Sequence, residues 1–375
     1  MTKRQPGRIA ASIVGCVGLP ARYGGFETLA ANLVAYRDTH DLSCDLTIYC
    51  SGKTYREQPD HYGGARLRYV PLDANGVSSI LYDALSILDA VRRREQVILV
   101  LGVSGAIILP LVRLISRARL IVNIDGLEWK RPKWSWAAAR FLRFSEWLAV
   151  RTAHVVVADN RGIVDHVSTT YGREAVEIPY GGDHAVALLT GDKASGTTAA
   201  DNKSAPYALM LCRIEPENHI HMILEAFDRS GTVNLVAVGN WAGSNYGRAL
   251  RDRYLGHPSI RITDPVFDQD ALSDLRAGAA LYVHGHSAGG TNPALVEMMH
   301  FGTPVAAFDC TYNRYTTQDF ATYFATADEL ATILEGFDSV DYTQQGARMR
   351  KIARQCYTWD TVGRQYYTAM GVAAV

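Results

Sequence analysis

The chain has 375 residues, 48% hydrophobic and 20% charged, a balance that can bury a core and excludes wholesale disorder and collagen-like or coiled-coil architectures. Lys and Arg total 38 against 38 Asp and Glu, so the net charge of zero excludes a whole-molecule polyanion binder and argues against nucleic acid as a partner. At roughly 100 to 200 residues per domain, the length predicts two domains.

Taken in chain order, short aliphatic runs alternate with helical patterns. Strands are predicted at 8–14, 45–50, 66–70, 97–101, 120–124 and 155–158, with helices at 27–36, 79–92 and 106–115. Residues 190–205 (TGDKASGTTAADNKSA) hold no aliphatic side chain larger than Ala and read as a linker or loop. The alternation then restarts, with strands at 207–212, 234–238, 260–262, 280–284 and 304–308 and helices at 219–227, 247–254, 269–277 and 293–301. Strands alternating with helices imply βαβ units and parallel sheets, hence two doubly wound α/β halves. The expected division is a first domain at 1–185, a linker at 186–205, a second domain at 206–355 and a C-terminal helix at 356–375 crossing back to the first. Ligands of such sheets sit outside the carboxyl ends of the strands, which predicts a site where the two halves face each other.

The six cysteines are widely separated, without C-x-x-C or zinc spacing, and read as reduced thiols. The start, MTKRQPGR, runs directly into a strand without the apolar region of a signal peptide, and the apolar run 97–112 is interrupted by Gly102, Gly105 and Pro110. The expectation is a cytoplasmic chain without a spanning segment.

Three segments carry chemistry. After the first strand comes Gly15-Cys-Val-Gly18-Leu-Pro-Ala-Arg-Tyr-Gly24-Gly25-Phe-Glu27-Thr28, where glycines at a strand-to-helix turn let backbone amides approach a phosphate. It matches neither G-x-G-x-x-G nor a Walker A motif. In the second half, His284-Gly-His286-Ser-Ala-Gly289-Gly290-Thr291-Asn292-Pro293 leads into a helix carrying Glu297. Free amides there suit phosphate, and a carboxylate one turn inside suits sugar hydroxyls, the division of labour that a nucleotide-sugar needs. Arg213, at the end of the strand YALMLC, can neutralise a diphosphate through forked hydrogen bonds.

The order of these segments, with RIEPEN at 213–218, resembles the retaining glycosyltransferases of the GT-B fold (glycosyltransferase family 4). That fold consists of two Rossmann-like doubly wound α/β domains facing a central cleft. GLPARYGGFET, NIDGLEWKRPKW, RIEPEN and HGHSAGGTNPALVEMM more narrowly resemble the bacterial rhamnosyltransferase-type branch of cell-surface polysaccharide assembly. The resemblance implies that Gly24 and Gly25 line the donor side and that Arg213 meets the diphosphate. It also implies that amides around Gly290, Thr291 and Asn292 hold donor sugar and phosphate, that Glu297 binds the ribose, and that Val266, in Asp264-Pro265-Val266-Phe267, frames the base. The segment from Tyr357 to Met370 corresponds to the element that crosses back. Two positions depart from the wider family: Gly289 stands where the first Glu of Glu-x7-Glu is usual, and Asn218 stands where a donor-site Lys is usual.

The implied reaction is transfer of a sugar with retention from a dTDP-, UDP- or GDP-linked donor, with rhamnose from dTDP-rhamnose foremost, onto a lipid-diphosphate-linked or oligosaccharide acceptor. The departing phosphate takes the acceptor's proton, and no cofactor is needed beyond the donor itself. Two alternatives stay open at this level. A nucleotide-sugar epimerase would release free epimerised donor, and a noncatalytic glycan-binding protein would bind no sugar nucleotide. Asp125, following an apolar strand in Asn123-Ile-Asp125-Gly126, is the first candidate for orienting the acceptor, with Glu27 second. Asp268-Gln-Asp270 spells D-x-D but directly precedes a helix, where Asp is the expected cap, so no metal is expected. His286 is expected to hydrogen-bond in the cleft. Between 130 and 147, five basic residues (Lys130, Arg131, Lys133, Arg140, Arg143) stand against Glu146, interleaved with Trp134, Trp136, Phe141, Phe144 and Trp147. That composition suits either a domain helix with its aromatics in the core or an interfacial helix; the second predicts peripheral contact with the inner leaflet of the cytoplasmic membrane, close to the acceptor, through this stretch, with Lys130, Arg131, Lys133 and Trp134 foremost.

Overall fold

A computed structural model of the protein describes residues 7–21, 24–131, 134–187 and 206–372. The chain divides into two compact units, one of residues 1–179 with 359–375 and the other of residues 180–358. The division falls a few residues before the expected boundary at 185, so the segment around His184 packs with the second unit. Most of the expected linker, residues 188–205, lies outside the described residues.

The first unit is an eight-stranded sheet. Its strands are β1 (Ile9–Val14), β2 (Cys44–Ser51), β3 (His61–Tyr62), β4 (Ala65–Val70), β5 (Val97–Leu101), β6 (Arg119–Asn123), β7 (Val155–Ala158) and β8 (Val176–Glu177), in the order β3-β4-β2-β1-β5-β6-β7-β8. All neighbours are parallel except the β3–β4 hairpin. The central strands read as unbroken apolar runs such as Val97-Ile-Leu-Val-Leu101 because helices cover both faces of a parallel sheet. Those helices are α1 (Gly25–Thr39), α2 (Ser78–Arg92), α3 (Leu109–Ile115), α4 (Trp136–Thr152) and α5 (Arg161–Tyr171). The single helix expected over 106–115 is instead a 3-10 turn, Ser104–Ile108, followed by α3. Pro110, which lacks an N–H and is tolerated only in a helix's first turn, sets the restart.

The second unit opens with the one-turn α6 (His184–Ala187) and builds a six-stranded parallel sheet. Its strands are β9 (Tyr207–Leu211), β10 (Asn234–Val238), β11 (Ile260–Thr263), β12 (Leu281–His284), β13 (Val305–Phe308) and β14 (Thr322–Phe324), in the order β11-β10-β9-β12-β13-β14. Its helices are α7 (Ile220–Ser230), α8 (Asn245–Tyr254), α9 (Gln269–Ala277), α10 (Pro293–Phe301), α11 (Thr311–Thr317), α12 (Ala327–Glu335) and α13 (Thr343–Cys356). Side-chain caps fix several starts, Ser244 at α8, Asp268 at α9, Asn292 at α10 and Thr326 at α12, each satisfying an amide that the helix itself leaves unpaired.

The chain then returns to the first unit as α14 (Trp359–Met370), three residues later than the crossing expected at 356, because α13 runs to Cys356 within the second unit. α14 packs on α1, with Gly363 against the Tyr36 ring, where any Cβ would collide. Tyr367 is buried and donates to the Leu33 carbonyl at 2.9 Å, and the buried Tyr366 hydroxyl accepts from Asn123 Nδ2 at 2.6 Å. Each buried ring of this kind contributes roughly 1.5 to 3 kcal/mol through area removed from water.

Candidate nucleotide-sugar site

In each sheet the strand order reverses beside the first strand of the unit. β1 connects outward to β2 while β5 begins the other half, and β9 connects outward to β10 while β12 begins the other half. At such a switch point the loops leave in opposite directions and open a crevice at the carboxyl ends of the strands. The predicted segments fall at these two points: the glycine loop after β1, Arg213 after β9, and residues 285–292 after β12.

In the first unit the glycine loop is shaped by steric necessity. Gly15 has φ 93° and lies against the Leu101 carbonyl, and Gly18 has φ 134° with a Cβ position 2.7 Å from that of Cys50. Gly24, with φ 129°, leads into Gly25, the first residue of α1, and any Cβ on Gly24 would strike the Glu27 carboxylate. Glu27 was the second candidate for orienting the acceptor, and the structure places it under the loop instead. It is buried and accepts from the Val17 amide at 2.6 Å, and burial raises its pKa. Asp125 stands just beyond the end of β6 in the left-handed region, φ 58°, partly exposed. Its amide donates to Asn123 Oδ1 at 2.8 Å, so the Asn123 side chain sets the turn that carries it.

In the second unit Arg213 is exposed just past β9. Asn218, expected as a donor contact, is buried and committed to structure. Its Nδ2 donates to the Arg213 carbonyl at 2.6 Å, and its Oδ1 meets His286 Nδ1 at 2.6 Å. Asn218 therefore ties the Arg213 loop to the loop after β12, and Ser287, whose amide and hydroxyl both donate to the Glu217 carbonyl, repeats the tie. His286 is correspondingly buried, a loop brace whose carbonyl accepts from Asn313 Nδ2 at 2.8 Å. His284 is buried, and burial lowers its pKa to about 3, so the ring is neutral.

The loop reaches α10 through Gly289, at φ 115°, with Gly290 half-buried and Thr291 buried. Asn292 Oδ1 accepts from the Ala294 amide at 3.0 Å, and Pro293 is the first helical residue, which makes this a well-formed helix N-terminus with the partial positive charge that suits phosphate. Glu297, one turn inside, is not an isolated ribose acceptor. Its Oε2 is ion-paired with Arg276 from the end of α9, and its Oε1 lies 3.3 Å from His184 Nε2. Val266 is partly exposed beyond β11, beside Asp264, which pairs with Arg251 at 2.9 Å. Asp268 caps α9 by accepting from the Ala271 amide at 2.8 Å, the structural role read for the D-x-D spelling.

The remaining predicted residues lie beyond β6. Arg131 pairs with Glu128 at 2.8 Å, Trp134 Nε1 donates to Glu128 Oε1 at 3.1 Å, and Lys130 stands exposed over the Trp129 ring at 5.3 Å. Arg131 and Trp134 are thus folded onto a local turn rather than held outward, and Lys133 lies outside the described residues. Arg276 and His184 escaped the sequence reading. A basic residue near a helix end is ordinary, and only the packing of α9 and of residues 182–184 on α10 brings them to Glu297.

Residues 205–335 match the glycosyl transferases group 1 domain, and residues 9–183 match a domain of unknown function, DUF1972. No curated protein matches the chain. Among solved structures, sucrose-phosphate synthase from Thermosynechococcus elongatus is similar at 15% identity over 96% of this chain and 98% of that one, with a TM-score of 0.74. Anabaena HepE in complex with UDP is similar at 16% identity over 97% and 99%, with a TM-score of 0.68. The catalytic domain of starch synthase IV from Arabidopsis thaliana, bound to ADP and acarbose, is similar at 12% identity over 97% and 99%, with a TM-score of 0.69. The two parallel-sheet α/β units match GT-B glycosyltransferase structures. With the group 1 domain over the second unit, they support a glycosyltransferase.

Proposed function

We propose that the protein transfers a sugar, with rhamnose from dTDP-rhamnose as donor, to a lipid-diphosphate-linked glycan acceptor with retention of anomeric configuration, working at the inner face of the cytoplasmic membrane. The observation that carries the donor half is the placement of Arg213 after β9 and of the capped N-terminus of α10 after the adjacent strand β12, at the switch point of the sheet. HepE, a structural neighbour, is solved with UDP and with UDP-glucose, which supports a nucleoside diphosphate sugar at this class of site. Rhamnose is favoured by the rhamnosyltransferase-like motifs and by Gly289, which offers no carboxylate to a further sugar hydroxyl.

On this reading the bond from the anomeric carbon to the β-phosphate oxygen breaks, and the bond to the acceptor oxygen forms on the same face of the sugar. Arg213 and the amides of residues 290–292 stabilise the charge that develops on the phosphate, and that phosphate takes the acceptor's proton. Asp125 is the residue assigned to orienting the acceptor. Positive charge at the leaving group comes from Arg213 and the helix terminus, so the reaction runs without a metal.

Thermal stabilisation by dTDP-, UDP- and GDP-sugars, followed by turnover with a lipid-linked acceptor in EDTA, tests this. Stabilisation by a dTDP-sugar and undiminished turnover in chelator are expected. Release of free epimerised donor, or turnover that requires magnesium or manganese, would overturn the corresponding part.

A further inference from the structure

The first unit carries an apolar and cationic surface for which the donor site has no use. α3 and α4 lie on the same face of the sheet, since each follows a right-handed crossover, β5 to β6 and β6 to β7, and they pack against one another. Their outer sides are apolar. α3 exposes Leu111, Leu114 (84%) and Ile115, and α4 exposes Trp136 (75%), Phe144 and Trp147, the last two stacked at 5.7 Å. Burial of these six side chains would be favourable, and none of the described residues buries them.

The exposed charges of these two helices are all basic. Arg113 and Arg117 belong to α3 and the turn after it, Arg113 also reaching the His154 ring, and Arg140 and Arg143 belong to α4. Arg140 lies over the Trp136 ring at 4.9 Å, and Arg143 lies over Trp129 at 5.2 Å. Residues 104–117 contain no acid, and the one acid of α4, Glu146, is buried and accepts from Trp129 Nε1 at 3.0 Å and from the Tyr171 hydroxyl at 2.6 Å. A second copy placed face to face would oppose arginine with arginine. An anionic bilayer meets both demands, with phosphates for the guanidinium groups and the headgroup boundary for the aromatic and leucine side chains.

We propose that the outer faces of α3 and α4 dock the protein on an anionic lipid surface, with Leu114 and Trp136 inserted and Arg113, Arg117, Arg140 and Arg143 at the phosphates. The sequence pointed to the stretch 130–147, with Lys130, Arg131, Lys133 and Trp134 foremost; the packing adds the outer face of α3 to that of α4. The inference gives a membrane address to the proposed lipid-linked acceptor and rests on that reading for its purpose, although the docking itself does not depend on catalysis.

Co-sedimentation with vesicles of phosphatidylcholine alone, and with vesicles of equal parts phosphatidylglycerol and phosphatidylcholine, tests it. Binding to the anionic vesicles alone is expected, weakened by salt and reduced at least roughly tenfold by Leu114→Glu with Trp136→Ser and by Arg140→Gln with Arg143→Gln. Unchanged melting temperatures show that the variants fold. Equal binding to both vesicles, binding to neither, or self-association abolished by Leu114→Glu would overturn the proposal. Vesicle binding without any sugar-nucleotide binding would support the membrane face and overturn the transferase reading instead.

Discussion

Arg276 and Glu297, 21 residues apart in sequence and both buried, form an ion pair between the end of α9 and the first turns of α10. The carboxylate that the sequence offered for the ribose is therefore also the partner of a buried cation, and substituting it tests two things at once. Removing one member of a buried pair leaves an uncompensated charge, at a cost of about 3 to 5 kcal/mol, whereas replacing both with apolar groups is often neutral. Glu297→Ala is expected to lower stability by that order in urea denaturation, and Arg276→Met with Glu297→Leu to recover most of it while nucleotide affinity stays low. Recovery of affinity in the double variant would remove Glu297 from the donor site.

Arg213 gives the cleaner probe. It is exposed, so Arg213→Ala should change stability by no more than about 0.5 kcal/mol. Loss of a charged contact to a diphosphate should cost about 1.5 to 3 kcal/mol, roughly ten- to a hundredfold in affinity, read by calorimetric titration with dTDP and UDP. Wild-type affinity in this variant would place the diphosphate elsewhere.

Asn218 stands where the family that the sequence resembles usually has a lysine, and here its side chain is committed to the surrounding loops. Both ends of the amide are engaged, and Gly285 lies against the Asn218 carbonyl so closely that a Cβ there would collide. Asn218→Ala is expected to cost about 1 to 3 kcal/mol by leaving the Arg213 carbonyl and His286 short of partners. Asn218→Lys should be at least as destabilising, with no gain in donor affinity. A stable lysine variant that binds donor more tightly would show that the loop can open to present this position.

Asp83 is buried on α2 and accepts from the Ser104 hydroxyl, and burial raises its pKa to about 7. Unfolded, the group titrates near 4, so between about pH 4 and pH 7 the native state holds a proton that the unfolded state has lost. Stability contributed by the neutral acid is complete below about pH 4 and falls as pH rises through 7. Asp83→Asn keeps an acceptor for Ser104 without the charge. It should stabilise the protein by about 1 to 4 kcal/mol at pH 8 and have little effect at pH 4, measured by denaturant titration at both values.

The two α/β units and the chain position of nearly every central strand are legible in the residues alone, because strands buried on both faces must be continuous apolar runs and the helices between them must be amphipathic. So are the helix N-terminus at Asn292–Pro293 and the cap at Asp268, since caps are local chemistry between residues two or three apart. The residues alone did not reveal the short strands β3, β8 and β14 or the helices α5, α6 and α11 to α13, most of them brief or strongly polar. Which polar residues near the strand ends are spent on architecture emerges from the packing. Glu27 turns under the glycine loop, Asn218 and His286 tie two loops together, and Glu297 meets Arg276 and His184. The Glu27 contact closes a ten-residue loop within one βα unit, whereas the others join segments fixed by different units, and the same separation hides which face of α4 is covered. Hydrogen bonds and burial depend on where the backbone brings a side chain, and that placement is set by the packing of the whole sheet rather than by the spacing of residues along the chain.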